Sequence, residues 1–492
     1  MKGNVKKIFA AVLAIALVVS VVGCGKKTTG YLEDGTYELI WYNEETKHPD
    51  HDLVYEELNK YTKEKIGVTV NYTPIAAAEY AEKMQLLFAS GERVDMCFSG
   101  TSANFHANAR QSAYMDMTEV LNTVGKPTKD LIADYALACF NVGGKQYGIP
   151  VLKDWAFQPC IAGQYKVLEE VGLNEEAKAT TSLEEWTPIL AAVKAKHPDY
   201  YGILMRGNHN MFKFNEIEMI SGAVVAGFDF DDYSTVVNAF NTDKAKDFFK
   251  LMRSWYQAGY IRNDAATATD DKAIIKVGNY VATHGEYLPY LDIKATEEDT
   301  NSTVWATNLT GHRLLSPNTS ACGLSLPRTC ADPEKTMEFV NLIYTDKYVR
   351  NLLAYGIENK HWIADGDTHY KLPEGCRVAK DTGYASSISV VGNRFLLRVA
   401  PNVPDDIWEK YQEFNESAFI SPAIGFVFDA TPVSGQIAAV QNVYQEYFPS
   451  LVVGAVDPEV KLPEFINKLN SVGAEEIIAE VQRQYDEWKK NK

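Results

Sequence analysis

The sequence is short of positive charge. Lys and Arg number 48 against 65 Asp and Glu, a formal net charge of −17 over 492 residues, and that balance opposes a sequence-independent grip on a phosphate backbone. Nucleic acid is therefore not an expected partner. Cysteine is scarce as well. Beyond Cys24 the chain holds Cys97, Cys139, Cys160, Cys322, Cys330 and Cys376, irregularly spaced, which excludes a disulfide scaffold. Cys97 and Cys139 sit in apolar runs, where a thiol behaves as a small hydrophobe; Cys322 with Cys330 is the one short-loop pair to test for a bridge. H-E-x-x-H, G-x-S-x-G, C-x-x-C and a complete G-x-x-x-x-G-K-[ST] are all missing. Gly143-Gly144-Lys145 lacks the following Ser or Thr of a phosphate loop and reads as a β-turn. His48-Pro49-Asp50-His51-Asp52 reads as a loop feeding a helix N-terminus, and Asp229, Asp231 and Asp232 lack the glycine and glutamate of a calcium loop. No cofactor and no metal are expected. What remains is ordinary globular composition, 46% apolar, long enough for two to four domains or one large two-lobed one. The notable surplus is aromatic: 28 Tyr and 8 Trp suit flat apolar ligands with polar edges.

Lys2, Lys6 and Lys7 precede a weakly polar or apolar run over residues 8–22, too short for a membrane span of about 20 residues and of the right length for a secretory signal. It ends in Val21-Val22-Gly23-Cys24, which resembles a bacterial lipobox and implies that Cys24 is the lipid attachment point (diacylglycerol and palmitate) and the mature N-terminus. Residues 1–23 are thus read as a signal peptide and 24–35 as a polar tether. No later apolar stretch approaches 18 residues, so the lipid is the expected membrane attachment of the body, on the extracellular face.

Along the body, short apolar runs alternate with amphipathic ones. Glu38-Leu39-Ile40-Trp41, Val68-Thr69-Val70-Asn71-Tyr72 and Val94-Asp95-Met96-Cys97-Phe98 read as strands; residues 53–65 and 79–89 read as helices, stopped by Gly67 and Gly91. This β-α-β-α-β order implies a parallel sheet covered on both faces, with ligands bound beyond the carboxyl ends of its strands. A second α/β series follows residue 150, and from about residue 404 the pattern is mainly helical, closing with a seam of Ile477, Ile478, Val481, Tyr485 and Trp488.

Several segments carry a more specific resemblance. Leu39-Ile40-Trp41-Tyr42-Asn43, Leu87-Phe88-Ala89-Ser90-Gly91-Glu92-Arg93-Val94-Asp95, Gly144-Lys145-Gln146-Tyr147-Gly148-Ile149-Pro150 and Thr181-Ser182-Leu183-Glu184-Glu185-Trp186 follow the lipobox in the order and spacing of extracellular solute-binding proteins of ATP-driven (ABC) sugar importers. Ala331-Asp332-Pro333-Glu334-Lys335-Thr336, Tyr355-Gly356-Ile357-Glu358-Asn359-Lys360-His361-Trp362 and the tail with Ile424-Gly425-Phe426 and Glu480-Val481-Gln482-Arg483-Gln484 look like the Gram-positive lipoprotein branch of that family.

The resemblance implies a periplasmic-binding-protein-like type II fold: two α/β lobes around a ligand cleft with a helical C-terminal region. It places lobe one at 36–150 plus 282–325, lobe two at 151–281 plus 326–403, and the helical region at 404–492 across them. Crossings are expected near 149–152, 281–283 and 326–328. Ligand contacts carried over by position are Trp41, Tyr42, Asn43 and Glu44 after the first strand, Phe98, Ser99 and Thr101 after the third, Trp155 after the first crossing, Arg206 and Asn208 in lobe two, Glu286 and Tyr287 on the returning segment, and Phe426 and Phe428 near the end. Trp41 also reads as a core residue, and Arg206 as the partner of a structural carboxylate. The implied function is non-enzymatic: a monomeric, lipid-anchored protein that captures an oligosaccharide and delivers it to a membrane permease. The alternatives are a carrier of another solute, such as a peptide or lipid precursor, and a secreted glycan-cleaving enzyme whose paired carboxylates the sequence does not reveal.

Overall fold

A computed structural model describes residues 29–209, 211–289, 303–401 and 403–492. The leader and Cys24 lie outside the described residues. The strands of the three larger sheets are β1 (Tyr37–Glu44), β2 (Val68–Ile75), β3 (Met96–Ser99), β4 (Ile149–Pro150), β5 (Pro159–Gln164), β6 (Tyr201–Leu204), β7 (Ile217–Met219), β8 (Ala226–Asp229), β9 (Asp232–Asn238), β10 (Tyr280–Glu286), β11 (Thr303–Ala306) and β12 (Gly323–Ser325). The helices used below are α1 (His51–Ile66), α2 (Ala77–Ser90), α3 (Phe105–Arg110), α4 (Trp186–Lys196), α5 (Asp243–Gln257), α6 (Pro333–Thr345), α7 (Lys347–Tyr355), α8 (Ile407–Glu416), α9 (Ser434–Val452), α10 (Pro458–Ser471) and α11 (Ala474–Lys490).

The first sheet runs β2-β1-β3-β12-β4. β1 pairs in parallel with β2 and β3, placing Trp41 beside Tyr72 on one side and Met96 on the other, and β12 returns antiparallel with Gly323 opposite Ser99. Every second residue of β1 is buried: Tyr37, Leu39, Trp41 and Asn43. α1 ends where the sequence implies, because Gly67 adopts φ 66°, which lets its N–H turn back to the Lys63 carbonyl. Met84 of α2, Met337, Phe339 and Val340 of α6, and Leu352 and Leu353 of α7 fill the core around this sheet.

The second sheet, β11-β5-β10-β6, has its own core of Trp186 on α4 and Trp255 on α5, and beside it lies the small antiparallel sheet β9-β8-β7. Phe448, Phe465, Ile477 and Tyr485 bring α9, α10 and α11 into this second core.

These placements correct the lobe assignments drawn from sequence. Residues 280–286 and 303–306 form β10 and β11 of the second sheet, not part of lobe one, and only β12 of the stretch 282–325 joins the first sheet. Helices α6 and α7, assigned to lobe two, bury their apolar faces in the first core. The physical reason is simple: apolar periodicity identifies a helix but does not state which sheet it will cover. The C-terminal helices likewise pack on the second core. The chain just before them spans both, with Phe414, Ala418 and Ile424 in the first core and Ala423, Phe426 and Phe428 in the second. Three segments therefore cross between the cores: 151–158, 307–322 and 417–425. The expected crossing at 281–283 lies inside β10, held on both sides by ladder partners.

Gly143 and Gly144 form the turn of a tight hairpin, both at positive φ. Among the described residues, no helix is long and apolar enough to cross a membrane, and none of the six cysteines forms a disulfide, Cys322 and Cys330 included.

Candidate functional site

The crossing segments floor a trough between the two cores. Its central cavity, about 450 Å³, is walled by Thr101 and Arg110 from the first lobe, by Glu218 and Gly222 from the second, and by Phe426 and Phe428 from the C-terminal segment. Pro317 and Glu218 separate it from a neighbouring cavity of about 520 Å³ lined by Phe157, Lys213, Phe230 and Tyr444. A third recess, about 620 Å³, opens at the carboxyl end of β1 beside Glu44, Glu45 and Ser386. Glu44 accepts a hydrogen bond from Ser102 at 2.9 Å, and Thr101 reaches the Ser320 carbonyl at 3.4 Å, so the β1 and β3 loops meet the crossing segment here.

A buried carboxyl and a half-buried ammonium define the polarity of the trough. Glu218 on β7 is 6% exposed and accepts from Ser421 at 2.7 Å and Tyr233 at 2.8 Å. Burial nevertheless outweighs those bonds and pushes its carboxyl pKa up. Lys213 donates to the Gly285 carbonyl at 2.9 Å and lies 5.9 Å from the Phe157 ring centre; burial pulls its pKa down. A fixed acceptor, a fixed donor and the rings of Phe157, Phe230 and Tyr444 offer hydrogen bonds to hydroxyls and flat faces to C–H groups. Nothing in the sequence pattern singled out Glu218 or Lys213. Lys213 sits in a single 3-10 turn and Glu218 on the three-residue strand β7, both too short to show a strand or helix period in the sequence.

The structure corrects several predicted contacts. Trp41 is 1% exposed, edge-on to Tyr72 at 4.6 Å and to Phe339 at 5.9 Å, and Phe98 is 1% exposed, edge-on to Tyr80 at 5.6 Å. Both are core residues, because a parallel sheet covered on both faces leaves no open side to its central strands. Trp155 is buried too: its indole N–H donates to the Val151 carbonyl at 2.9 Å, so it braces the first crossing. Asn43 is buried and donates to the Tyr72 hydroxyl at 3.0 Å, and that hydroxyl donates to Glu45 at 2.6 Å. Arg206 pairs with Asp271 at 3.0 Å, the structural-carboxylate reading.

Other predicted residues lie nearer the trough. Thr101, Phe426 and Phe428 line the central cavity. Tyr42 and Tyr287 are half-buried, Asn208 and Glu286 are exposed at the ends of β6 and β10, and Ser99 is buried with no hydrogen-bond partner for its hydroxyl. Tyr287 meets the rings of Trp305 and Phe414 at 6.4 and 6.3 Å.

The metal-ligand types diverge. His51 stacks against both Tyr55 and Tyr72, which also stack on each other, His48 pairs with Glu45, and Asp50 with Lys360. Asp229 and Asp231 each hold the Lys244 ammonium at 2.8 Å, with Glu216 at 3.4 Å, so a lysine supplies the positive charge at that turn. No group of three His, Cys, Asp or Glu able to hold a metal occurs among the described residues.

Two α/β lobes joined by crossing segments, with cavities at the carboxyl ends of their strands, define a ligand-binding protein of the periplasmic type II class. Residues 58–356 match the family described as bacterial extracellular solute-binding protein, and 422–490 match a domain of unknown function. The chain belongs to that extracellular solute-binding family, whose members carry solutes for importers and catalyse no reaction. A carbohydrate ABC transporter substrate-binding protein of Streptococcus pneumoniae serotype 4 is 27% identical over 500 residues, covering 100% of both chains. The N-glycan transport solute binding protein of S. pneumoniae, 26% identical, superposes with a TM-score of 0.81 over 92% of this chain and 99% of that one. Its complexes with Man1GlcNAc and Man5GlcNAc, at similar identity and coverage, give 0.70 and 0.66.

Proposed function

We propose that this protein is a lipid-anchored receptor that captures an oligosaccharide outside the cell and delivers it to the permease of an ABC importer. The observation that carries the reading is the trough itself, with aromatic faces, a buried carboxyl and a half-buried ammonium between lobes that resemble, along almost their whole length, a protein crystallised with Man1GlcNAc and Man5GlcNAc. Sugar rings present C–H faces to aromatic rings while their hydroxyls bridge donor and acceptor groups. Thr101, Phe426, Phe428, Glu286 and Tyr287 are the predicted contacts that this reading retains; Lys213 and Glu218 join them. The lipid anchor at Cys24 rests on the lipobox, and delivery to a permease on the family.

A thermal-shift and calorimetric screen over neutral oligosaccharides, Man5GlcNAc among them, tests the ligand class. A ligand at 100 times its Kd adds about 2.7 kcal/mol to native stability. Stabilisation by a glycan, absent with peptides and lipid precursors, is the expected result; the reverse pattern assigns another solute. For the anchor, cells expressing Cys24→Ser should release the protein from the membrane fraction, and retention at the wild-type level would refute lipidation there.

A further inference from the structure

Away from Lys213 and Glu218, the stretch 354–411 of the first lobe lines a half-open chamber of about 290 Å³, which meets a neighbouring cavity of about 550 Å³ at Trp362, Arg398, Val399 and Trp408. Its wall is aromatic, with Tyr355, Tyr370 and Trp408 among the lining residues, and Arg394 and Arg398 enter it. The Arg394 guanidinium lies 5.2 Å from the ring centres of both Trp408 and Tyr411, and that of Arg398 5.5 Å from Trp362. A third guanidinium stands behind the wall. Arg350, 1% exposed, donates to the carbonyl of Ile388 at 2.7 Å, and Ile388 lines the chamber.

Among the described residues one of these three cations has a carboxylate partner, Arg394 with Asp154. Arg398 donates to the carbonyls of Gly366 and His369, and Arg350 to that of Ile388. The Nε atoms of Arg350 and Arg394 are buried with no hydrogen-bond partner. Burial is the main reason that the Arg350 pKa falls to about 10, with the Arg394 charge adding to it. In a chain of net charge −17 this is a local cluster of positive charge, with Arg350 buried and Arg394 and Arg398 half-buried. Such a group is costly unless an anion completes it. Asp50 is engaged by Lys360 and His361 and Asp405 by His369, while Glu358, Asp367 and Glu409 line the neighbouring cavity on the other side of Arg398.

A guanidinium fork matches a carboxylate in two parallel hydrogen bonds, while the surrounding rings suit the C–H face of a pyranose. The volume admits a single ring rather than a chain. The chamber also adjoins the recess at β1, since Tyr384, Ala385 and Ser386 line both. We propose that this chamber is a second binding site, selective for a sugar acid of one ring whose carboxylate pairs with Arg394 and Arg398, the two guanidinium groups that line it.

The test is calorimetric titration of the purified full chain with sodium D-glucuronate and with sodium N-acetylneuraminate, using glucose and sodium acetate at equal ionic strength as controls. At least one sugar acid should bind tenfold or more tightly than glucose and acetate. That preference should be lost in Arg394→Gln and in Ala400→Trp, which fills the chamber without removing a charge. The second variant keeps the test decisive if the first does not fold. Equal binding of acetate, no preference over glucose, or a preference that survives Ala400→Trp would each overturn the proposal. The site does not depend on the trough reading: Man5GlcNAc binding, measured on the same variants, reports on the trough and should be unchanged by Ala400→Trp.

Discussion

The carboxylate of Glu218 accepts a hydrogen bond from the Ser421 hydroxyl at 2.7 Å, tying β7 of the second lobe to the C-terminal segment that crosses from the first. This joint stands at the wall shared by the two trough cavities. Because burial raises the folded-state pKa of Glu218, its ionised form is disfavoured by folding. The sign follows: wild-type stability is reduced by this group as pH rises through the unfolded carboxyl range toward the folded pKa. Glu218→Gln removes that dependence. Urea unfolding at pH 4, 5.5 and 7 should show the variant gaining on wild type as pH rises, and a pH-independent difference would contradict it.

The same geometry predicts affinity. Replacing Glu218 by Gln or Lys213 by Met removes one fixed partner for a hydroxyl, and each should weaken binding of the glycan found by the screen by about tenfold, or about 1.4 kcal/mol. Calorimetry on folded variants decides the matter. Unchanged affinity in both would move the ligand out of this trough.

Trp41 behaves differently. Its ring fills the first core between Tyr72 and Phe339, so Trp41→Ala should cost stability of about 3–5 kcal/mol, the range for deleting a large buried aromatic. Urea denaturation measures this directly. A loss below about 1 kcal/mol together with a tenfold fall in affinity would show that the indole serves a ligand after all.

Trp41 also shows where sequence reasoning reaches its limit. The strand was legible, since Leu39, Trp41 and the run at 68–72 carry β-forming residues, and Gly67 and Gly91 marked both helix ends. The C-terminal helix was legible over its full length, Ala474–Lys490, because its apolar seam recurs at helical spacing. What stayed hidden was which side of a covered strand meets a ligand, and to which lobe a helix returns. Lobe assignment for α6 depends on Met337 and Phe339 meeting a sheet more than two hundred residues earlier in sequence, a relation that local periodicity does not encode. Glu218 and Lys213 come from a three-residue strand and a single 3-10 turn, too short to show a period, and only the fold brings them to one cavity.

His51 yields a prediction about acid. The ring is 2% exposed, lies 4.7 Å from Tyr55 and 4.9 Å from Tyr72, and neither nitrogen has a hydrogen-bond partner. Burial lowers its pKa in the folded state. The unfolded chain therefore binds a proton that the folded chain refuses, and stability is lost as pH falls through the unfolded histidine range near 6.5. His51→Phe keeps the stack without the titration. Between pH 7.5 and 5 its unfolding free energy should fall less steeply than that of wild type, by up to about 1.4 kcal/mol per pH unit. Parallel slopes would mean that His51 is protonated equally in both states.

The trough draws its walls from both lobes, Thr101 and Arg110 on one side and Glu218 on the other, so a ligand can satisfy both sets only when the lobes approach. A ligand shifts such a balance only through its difference in affinity for the two arrangements. Comparison with one S. pneumoniae protein favours this motion: at nearly constant identity and coverage, the TM-score falls from 0.81 to 0.70 and 0.66 for its complexes with Man1GlcNAc and Man5GlcNAc, a difference of shape and not of sequence. The bending should lie in the crossings at 151–158, 307–322 and 417–425, and not inside β10, whose ladder partners on β5 and β6 hold it. Small-angle X-ray scattering on the protein saturated with the glycan from the screen should therefore give a smaller radius of gyration than without it. Identical scattering profiles with and without saturating ligand would show a rigid trough that binds without closing.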